Sequence, residues 1–163
     1  MAASSSKPVA LITGSSRGIG RGIALELGRR GYAVVVNYVR SAEAAEQVVR
    51  EIEASGGQAV AVRGDVASAD DRAALVEAAL ERFGRLDLLV NNAGITSQGR
   101  KDLLEADEAS WNVVFDTNLK GPFFLAQRSA KAMIELRQQG AIERGTIVNV
   151  SSISTYEIGR AHV

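Results

Sequence analysis

The chain has 163 residues, a length that suits one domain, and its 46% hydrophobic content can bury a core of modest size. Its 19 basic and 19 acidic residues give a net charge of zero, so a nucleic-acid-binding face, which needs a basic surplus, is not expected. The absence of cysteine excludes disulfides and thiolate metal sites, and the single histidine, His162, argues against a histidine triad or metal centre.

The beginning of the chain, residues 1–7, is small and polar without an apolar core segment. We expect a disordered tail there and no secretory signal. No apolar run approaches the length of a membrane span. These features predict a cytoplasmic protein.

From residue 8 onwards, short β-rich apolar runs alternate with longer helical patterns. The runs predict strands at residues 9–13, 33–37, 59–63, 86–91 and 146–151. The intervening patterns predict helices at residues 18–30, 41–55, 68–83 and 108–138. Ser41 is expected to cap the second helix, Gly84 to end the third, and Gly121-Pro122 to disturb the last. On the first helix, the side chains expected to face inward are Ile19, Ile23, Leu25 and Leu27.

This alternation predicts the fold class. Strands that alternate with helices form βαβ units, and right-handed crossovers between them build a doubly wound parallel sheet. We expect an α/β fold of the Rossmann type, with about five strands in the order 3-2-1-4-5. Ligands of such sheets bind at the carboxyl ends of the strands, near the switch point of the topology.

Three glycines follow the first predicted strand, in the segment Thr13-Gly-Ser-Ser-Arg-Gly-Ile-Gly20. Gly14 permits a tight turn, Gly18 lets a ligand approach the backbone, and Gly20 lets the helix pack against the strand. The helix that begins here offers free N–H groups and a positive dipole end to a pyrophosphate. A glycine-rich turn is often only a turn, but its place between a strand and a helix predicts dinucleotide binding.

The end of the second strand bears on which dinucleotide is bound. An acid about 20 residues after the glycines would accept hydrogen bonds from the ribose 2′-hydroxyl of NAD. This chain has Asn37 there, followed by Tyr38-Val39-Arg40, so no acid repels a 2′-phosphate. Arg17 and Arg40 are placed to bind one, because guanidinium groups match phosphate well. NADP(H) is therefore expected, although both arginines could instead be solvated surface charges, and NAD(H) remains the alternative.

Several motifs, taken together, resemble those of the short-chain dehydrogenase/reductase family. The motifs are specific as a set because they occur in the family's order and spacing. They are the glycine segment Thr13 to Gly20, Asp65-Val66, Asn91-Asn92-Ala93-Gly94, Asn118 in Asn118-Leu-Lys-Gly121, and Ser151-Ser152. The resemblance covers about residues 8–155.

The resemblance implies a role for each motif. Asp65 faces the adenine amino group, and the asparagine motif steadies the sheet and lines the cofactor groove. The implied cofactor contacts are Gly14, Ser16, Arg17, Gly18, Ile19, Gly20, Asn37, Tyr38, Arg40, Asp65, Val66, Asn92, Ala93 and Gly94. No metal is implied.

The resemblance also implies hydride transfer between a nicotinamide and a carbonyl carbon. Ser152 donates a hydrogen bond to the substrate oxygen, and Asn118 holds a water of the proton relay through its backbone carbonyl. A tyrosine delivers the proton, with its pKa lowered by a lysine and by the cofactor's positive charge. In a helix the N–H of residue 122 would occupy that carbonyl, but Pro122 has none. The alternative is a plain proline kink.

Within the family, the sequence most resembles those of 3-oxoacyl-acyl-carrier-protein reductases, notably in Ser16-Arg17 and Asn37-Tyr38. Sugar, polyol and steroid dehydrogenases share these motifs and stay open as alternatives. The expected partner is a small or acyl-carrier-bound carbonyl substrate. A full-length form is expected to be a homo-oligomer without nucleic-acid or membrane partners.

The chain departs from the family pattern at its end. The pattern places Tyr-x-x-x-Lys about 13 residues beyond the serine, whereas the chain ends at Val163. Tyr156 follows Ser152 too closely, and Arg160 stands where the lysine would be, so Tyr156 is not expected to be the proton donor. We therefore expect residues 8–156 to be a C-terminally truncated NADP(H)-binding domain that is inactive by itself.

The last residues suggest an origin outside the gene. Ile158 to Val163 is what ATC GGA AGA GCA CAC GTC encodes, the start of a common sequencing-library adapter whose next in-frame triplet is a stop. We expect residues 157–163 to be translated adapter, with a natural divergent terminus or a frameshift as the alternative. Two other readings of the whole chain stay open, namely a non-catalytic dinucleotide-binding module and an incomplete reading frame without function.

Overall fold

The computed structural model describes residues 7–97, 99 and 103–152. Within these residues the chain forms a five-stranded parallel sheet in the order β3-β2-β1-β4-β5. The strands are β1 (Val9–Ile12), β2 (Ala33–Tyr38), β3 (Gln58–Arg63), β4 (Leu88–Asn91) and β5 (Thr146–Asn149). The predicted fold class and strand order are therefore confirmed.

Helices connect the strands and cover both faces of the sheet. They are α1 (Gly18–Arg29), α2 (Ala42–Ala54), α3 (Ala69–Phe83), α4 (Glu108–Phe115) and α5 (Gly121–Gln138). A π-helical segment, Asp116–Lys120, joins α4 to α5, which confirms the predicted disturbance beside Gly121-Pro122. In the described part of the chain, no helix is long and apolar enough to cross a membrane.

Two apolar layers hold the helices to the sheet. Alternate residues of each strand point to opposite faces, so Leu11 joins one layer and Ile12 the other. The first layer contains Leu75 of α3 and Leu125 of α5, while the second contains Ile52 of α2. Burial on both faces explains why the central strands are almost continuously Val, Ile, Leu and Ala.

The face of α1 that packs on the sheet differs from the prediction. Ile19 is 70% exposed, so its predicted inward position is wrong, and Ile23, Leu25 and Leu27 are only half-buried. The buried residues are the small ones, Gly20, Ala24 and Gly28. A Cβ on Gly28 would lie 2.9 Å from the Ile52 side chain. Small residues on this face let the backbone of α1 approach α2 and the sheet closely.

The helix ends agree with the predictions except in one cap. Gly84 ends α3 in the left-handed conformation, with φ of 75°, as its position predicts. Ser68 caps the start of the same helix by accepting a hydrogen bond from the Asp71 N–H. Ser41 stands at the N-cap of α2, but its side chain makes no capping hydrogen bond, so the predicted cap is wrong in that respect.

Candidate functional site

Four loops meet at the carboxyl ends of the strands. Because β1 has β2 on one side and β4 on the other, the chain switches direction at β1, where a crevice opens in such sheets. The glycine turn follows β1, residues 39–41 follow β2, residues 64–68 follow β3, and residues 92–97 follow β4. The motifs that are far apart in the sequence are thereby brought to one edge.

The glycine turn combines a tight contact with an open space. Gly14 has φ of +62°, and a Cβ there would lie 3.1 Å from the Cα of Ala93. Gly18 has φ of +57°, and a Cβ there would meet nothing within 4 Å. Gly20 packs closely inside, since its Cβ would lie 2.6 Å from the carbonyl oxygen of Gly14. The close contacts at Gly14 and Gly20 agree with their predicted structural functions, and the approach of a ligand to Gly18 stays a prediction.

The start of α1 faces the open side of this turn. The first bond inside the helix is donated by the Arg21 N–H to the Arg17 carbonyl at 3.2 Å, so the N–H groups of residues 18–20 precede it. Gly18 and Ile19 are exposed beside these groups, and Ser16 is half-buried. Exposed N–H groups at a helix N-terminus are suited to bind an anionic group such as a phosphate.

Two arginines stand free at the same edge. Arg17 precedes α1 and Arg40 follows β2, and both are exposed. Among the residues that the structure describes, neither lies within ion-pair distance of a carboxylate. Their charges are therefore available to an anion that binds above Gly18.

Asn37 is turned into the protein. Its Oδ1 accepts a hydrogen bond from the Gly14 N–H at 3.0 Å, and its Nδ2 donates to the Gly64 carbonyl at 2.8 Å. Its side chain thus ties the glycine turn to the end of β3. Tyr38, next along the strand, is half-buried against the apolar layer of α1 and α2. That either residue contacts a cofactor stays a prediction.

The loop after β3 is held by short hydrogen bonds. The Asp65 N–H donates to Asp71 Oδ2 at 2.7 Å, and the Ala67 N–H donates to Asp65 Oδ1 at 2.9 Å. Val66 is buried, with 4% of its surface exposed. One oxygen of the half-buried Asp65 is thereby occupied by the loop itself, which fixes the direction of the carboxylate.

The asparagine motif after β4 is attached to β1. Asn92 donates from Nδ2 to the Thr13 carbonyl at 2.8 Å. The Thr13 hydroxyl accepts from both the Asn92 and the Ala93 N–H at 2.9 Å. Gly94 and Ile95, which follow, are exposed at the carboxyl edge of the sheet. The sequence motif includes Thr13 but predicts no function for it. A hydroxyl at the end of a buried strand could have indicated that Thr13 bonds a neighbouring loop.

Asn118 lies in the π-helical segment and is bound to the loop after β4. Its Nδ2 donates to the Ile95 carbonyl at 2.8 Å, and its Oδ1 accepts from the Ile95 N–H at 2.9 Å. Both ends of the side chain are therefore used, and the binding of a water by the Asn118 backbone carbonyl stays a prediction. The π turn is closed by the Gly121 N–H, which donates to the Asp116 carbonyl. Pro122 has no N–H to donate to Asn118.

Ser152 is the last predicted catalytic residue within the described part. It follows β5 and is exposed on the same side of the sheet as the other loops. Tyr156 and residues 157–163 lie outside the described residues, so their predicted assignments stay predictions. Within the described part, no group of three or more His, Asp or Glu side chains could hold a metal ion.

An ion pair joins the two helices beside the glycine turn. Arg21 of α1 contacts Glu51 of α2 at 2.6 Å, and this hydrogen bond holds the pKa of the Glu51 carboxyl below its ordinary value. Gln47 donates a second hydrogen bond to the same carboxyl. Arg21 thus has a carboxylate partner, unlike Arg17 and Arg40, which have none among the described residues.

Comparisons with known proteins agree with this geometry. The family model described as short chain dehydrogenase matches residues 8–162. The 3-oxoacyl-[acyl-carrier-protein] reductase FabG of Staphylococcus aureus strain MW2 is 46% identical over 144 residues, which are 88% of this chain and 55% of that protein. The 3-oxoacyl-[acyl-carrier-protein] reductase of Synechocystis is 44% identical over 146 residues, or 90% of this chain and 56% of that protein.

Solved structures have the same fold. A metagenomic short-chain oxidoreductase in complex with NADP is 40% identical with a TM-score of 0.81, and the match covers 92% of this chain and 64% of that one. The 3-oxoacyl-[acyl-carrier protein] reductase of Brucella melitensis in complex with NAD is 35% identical with a TM-score of 0.81. This match covers 93% of this chain and 58% of that one. The chain spans a little over half the length of the curated relatives that it matches.

Proposed function

The chain belongs to the short-chain dehydrogenase family, and from that membership we propose that it binds NADP(H) at the carboxyl edge of its sheet. The proposed activity of the whole protein is reduction of the ketone of a 3-oxoacyl thioester to an alcohol. Its hydride comes from the nicotinamide ring when NADPH is bound. This chain contributes the cofactor groove, one group that bonds the substrate oxygen and one that holds a water of the proton relay.

The observation that carries the proposal is the open space at Gly18 between exposed N–H groups and two free arginines. A Cβ at Gly18 would meet no atom of the protein within 4 Å, although the turn on either side is tightly packed. That space suits a pyrophosphate, which would accept hydrogen bonds from the first turn of α1. The residues present therefore fit a dinucleotide.

The preference for NADP(H) rests on Arg17 and Arg40. Both are exposed, and neither has a carboxylate partner among the described residues. A guanidinium group pairs with a phosphate through charged hydrogen bonds, and a ribose hydroxyl offers no matching charge. The relatives include structures solved with NADP and one solved with NAD, so the arginines are the discriminating feature.

The chemistry assigned to this chain's own residues concerns the substrate oxygen and a proton. Ser152 donates a hydrogen bond to the carbonyl oxygen, which polarises the carbon that accepts hydride. The Asn118 backbone carbonyl accepts a hydrogen bond from a water in the proton relay, while its side chain is held by Ile95. No Tyr-x-x-x-Lys follows Ser152 within the 163 residues, so we expect this chain to bind cofactor without turnover.

The names of the curated relatives support the proposed substrate class. Those matched at 44 to 46% identity are named as reductases of 3-oxoacyl groups on acyl carrier protein. Such a substrate carries its ketone on a long thioester arm, which suits an open groove. The proposal is therefore a 3-oxoacyl thioester rather than a sugar, polyol or steroid.

Titration of NADPH and NADH into the purified chain, followed by calorimetry, tests the cofactor assignment. We expect Arg17→Ala and Arg40→Ala each to weaken NADPH binding by about 1.5–3 kcal/mol, the cost of a lost charged hydrogen bond, with little change for NADH. Arg50→Ala is the matched control, because Arg50 is an exposed arginine on α2 whose guanidinium, among the described residues, hydrogen-bonds to Gln47. Equal weakening of both cofactors would contradict the assignment.

A further inference from the structure

Arg72 is a buried cation in an unfavourable place. Only 7% of its surface is exposed, and it lies near the N-terminus of α3, the positive end of the helix dipole. Among the described residues, no carboxylate lies within ion-pair distance of its guanidinium. Removing a charge from water without an opposite charge is costly. The structure must therefore offer other contacts that offset this cost.

Those contacts are two backbone carbonyls and an aromatic ring. Arg72 Nη1 donates to the Val66 carbonyl at 2.6 Å and to the Ala67 carbonyl at 2.9 Å. The guanidinium also lies over the Phe124 ring, with 5.7 Å from Cζ to the ring centroid. Arg72 thus binds the loop after β3 on one side and helix α5 on the other.

The two carbonyls belong to the loop that directs Asp65. The Ala67 N–H donates to Asp65 Oδ1 at 2.9 Å, so the position of residue 67 sets the direction of the carboxylate. Arg72 holds the Val66 carbonyl, which belongs to the same peptide unit as the Ala67 N–H, and through that peptide it holds the group to which Asp65 is bonded. A shift of the loop therefore moves the free carboxylate oxygen.

Helix α5 limits the same loop from the other side. A Cβ on Gly121 would lie 2.7 Å from the Val66 carbonyl oxygen, so the start of α5 already contacts this oxygen closely. Phe124, one turn further along, is the ring under the Arg72 guanidinium. The loop is consequently held between α5 and Arg72 and has little room to move while both contacts are intact.

We propose that Arg72 is a positioning residue for adenine recognition. It holds the loop of residues 65–67 so that the second oxygen of Asp65 points at the exocyclic amino group of the adenine. The inference rests on the proposed binding of NADP(H), and it adds a residue that touches neither cofactor nor substrate. A merely structural arginine would support all ligands of the groove equally, whereas a positioning arginine supports the amino group selectively.

The test compares NADPH with its hypoxanthine analogue, in which a carbonyl oxygen replaces the adenine amino group. Calorimetry on the purified chain gives both dissociation constants for the unchanged protein and for Arg72→Met. We expect the unchanged chain to prefer NADPH, and Arg72→Met to weaken NADPH by about tenfold or more, as for a lost hydrogen bond to a charged group. The affinity for the analogue is expected to fall much less, so the ratio of the dissociation constant of the analogue to that of NADPH approaches one in Arg72→Met.

Two further variants separate positioning from stability. Arg72→Lys keeps the charge but has a single nitrogen in place of the planar fork, and its ratio is expected to fall between the other two. Arg85→Met is the matched control, because Arg85 is a poorly exposed arginine paired with Asp87 at 2.6 Å, at the opposite ends of the strands. Its loss lowers stability, which a thermal melt measures, and leaves the ratio unchanged.

The outcomes distinguish this inference from the proposed function. Failure of the unchanged chain to bind NADPH overturns the proposed function and the inference with it. Binding of NADPH with the same ratio in the unchanged chain, Arg72→Met and Arg72→Lys overturns the inference alone. If the ratio of the two dissociation constants falls as much in Arg85→Met as in Arg72→Met, the inference is also overturned, because the change then follows the loss of stability.

Discussion

Asn37 illustrates how a single side chain can organise a binding edge from within. Its amide bonds the Gly14 N–H on one side and the Gly64 carbonyl on the other, and 1% of the residue is exposed. An amide suits this place because it carries a donor and an acceptor together. Its lack of negative charge therefore has a structural reason as well as the predicted consequence for cofactor choice.

The change Asn37→Asp tests this structural reason. A carboxylate cannot donate to the Gly64 carbonyl, so a buried acceptor loses its partner and faces a negative charge at close range. We expect the free energy of unfolding to fall by about 1–3 kcal/mol, measured by urea denaturation. Asn112→Asp is the control, since Asn112 is exposed on α4 and its change should stay within about 0.5 kcal/mol. Equal stability of Asn37→Asp and the unchanged chain would contradict the assigned hydrogen bonds.

At the scale of elements, the junction of α4 and α5 is shaped by a glycine. The π-helical segment Asp116–Lys120 ends where Gly121 passes the Val66 carbonyl, and Gly121 is buried. A Cβ there would lie 2.7 Å from that oxygen and 3.0 Å from the Asp116 oxygen. Both neighbours are backbone atoms, which give way less readily than a side-chain tip. Close packing at this glycine therefore holds the start of α5, three residues beyond Asn118, against the loop after β3.

A pair of glycine substitutions measures this effect. Gly121→Ala is expected to destabilise the chain by about 1–3 kcal/mol, because the added methyl overpacks against backbone. Gly22→Ala, in α1, meets nothing within 4 Å and is expected to stabilise it by about 0.5–1 kcal/mol through helix propensity. Thermal melts of both variants give the comparison. Two shifts of the same sign would mean that the contacts at Gly121 are looser than described.

The elements show how far sequence patterns reach. The strands follow from apolar runs, which are features of local sequence, and their order follows from the doubly wound fold class that the alternation of strands and helices predicts. The buried face of α1 was missed because periodicity counts large side chains, whereas this helix buries Gly20, Ala24 and Gly28. The partners of Asn37 and Arg72 are carbonyls on other elements, and no local pattern specifies them. Motif spacing placed the glycine turn and the asparagine loop together but did not reveal these internal bonds.

At the scale of the molecule, the edge strand β5 is less well covered than the central strands. β1 and β2 are buried between the layers, whereas Val148 of β5 and Val150 beyond it are 43% and 40% exposed. In the described part of the chain, β5 is bonded to β4 alone, so its other edge presents unpaired N–H and C=O groups. Trp111 and Phe115 form an exposed stack on α4, 4.0 Å between ring centroids, which adds apolar surface elsewhere.

An exposed apolar strand edge favours pairing with a second chain, so we expect this chain to self-associate as its concentration rises. Sedimentation velocity over a concentration series measures the association. Val148→Lys places a charge on the edge and is expected to shift the population towards monomer, because lysine at a strand edge opposes further pairing. Ile134→Lys is the matched control, since Ile134 is 57% exposed on α5 and its change adds the same charge away from the sheet. Monomer gained by Ile134→Lys and not by Val148→Lys would place the association on the helices and contradict the role assigned to β5.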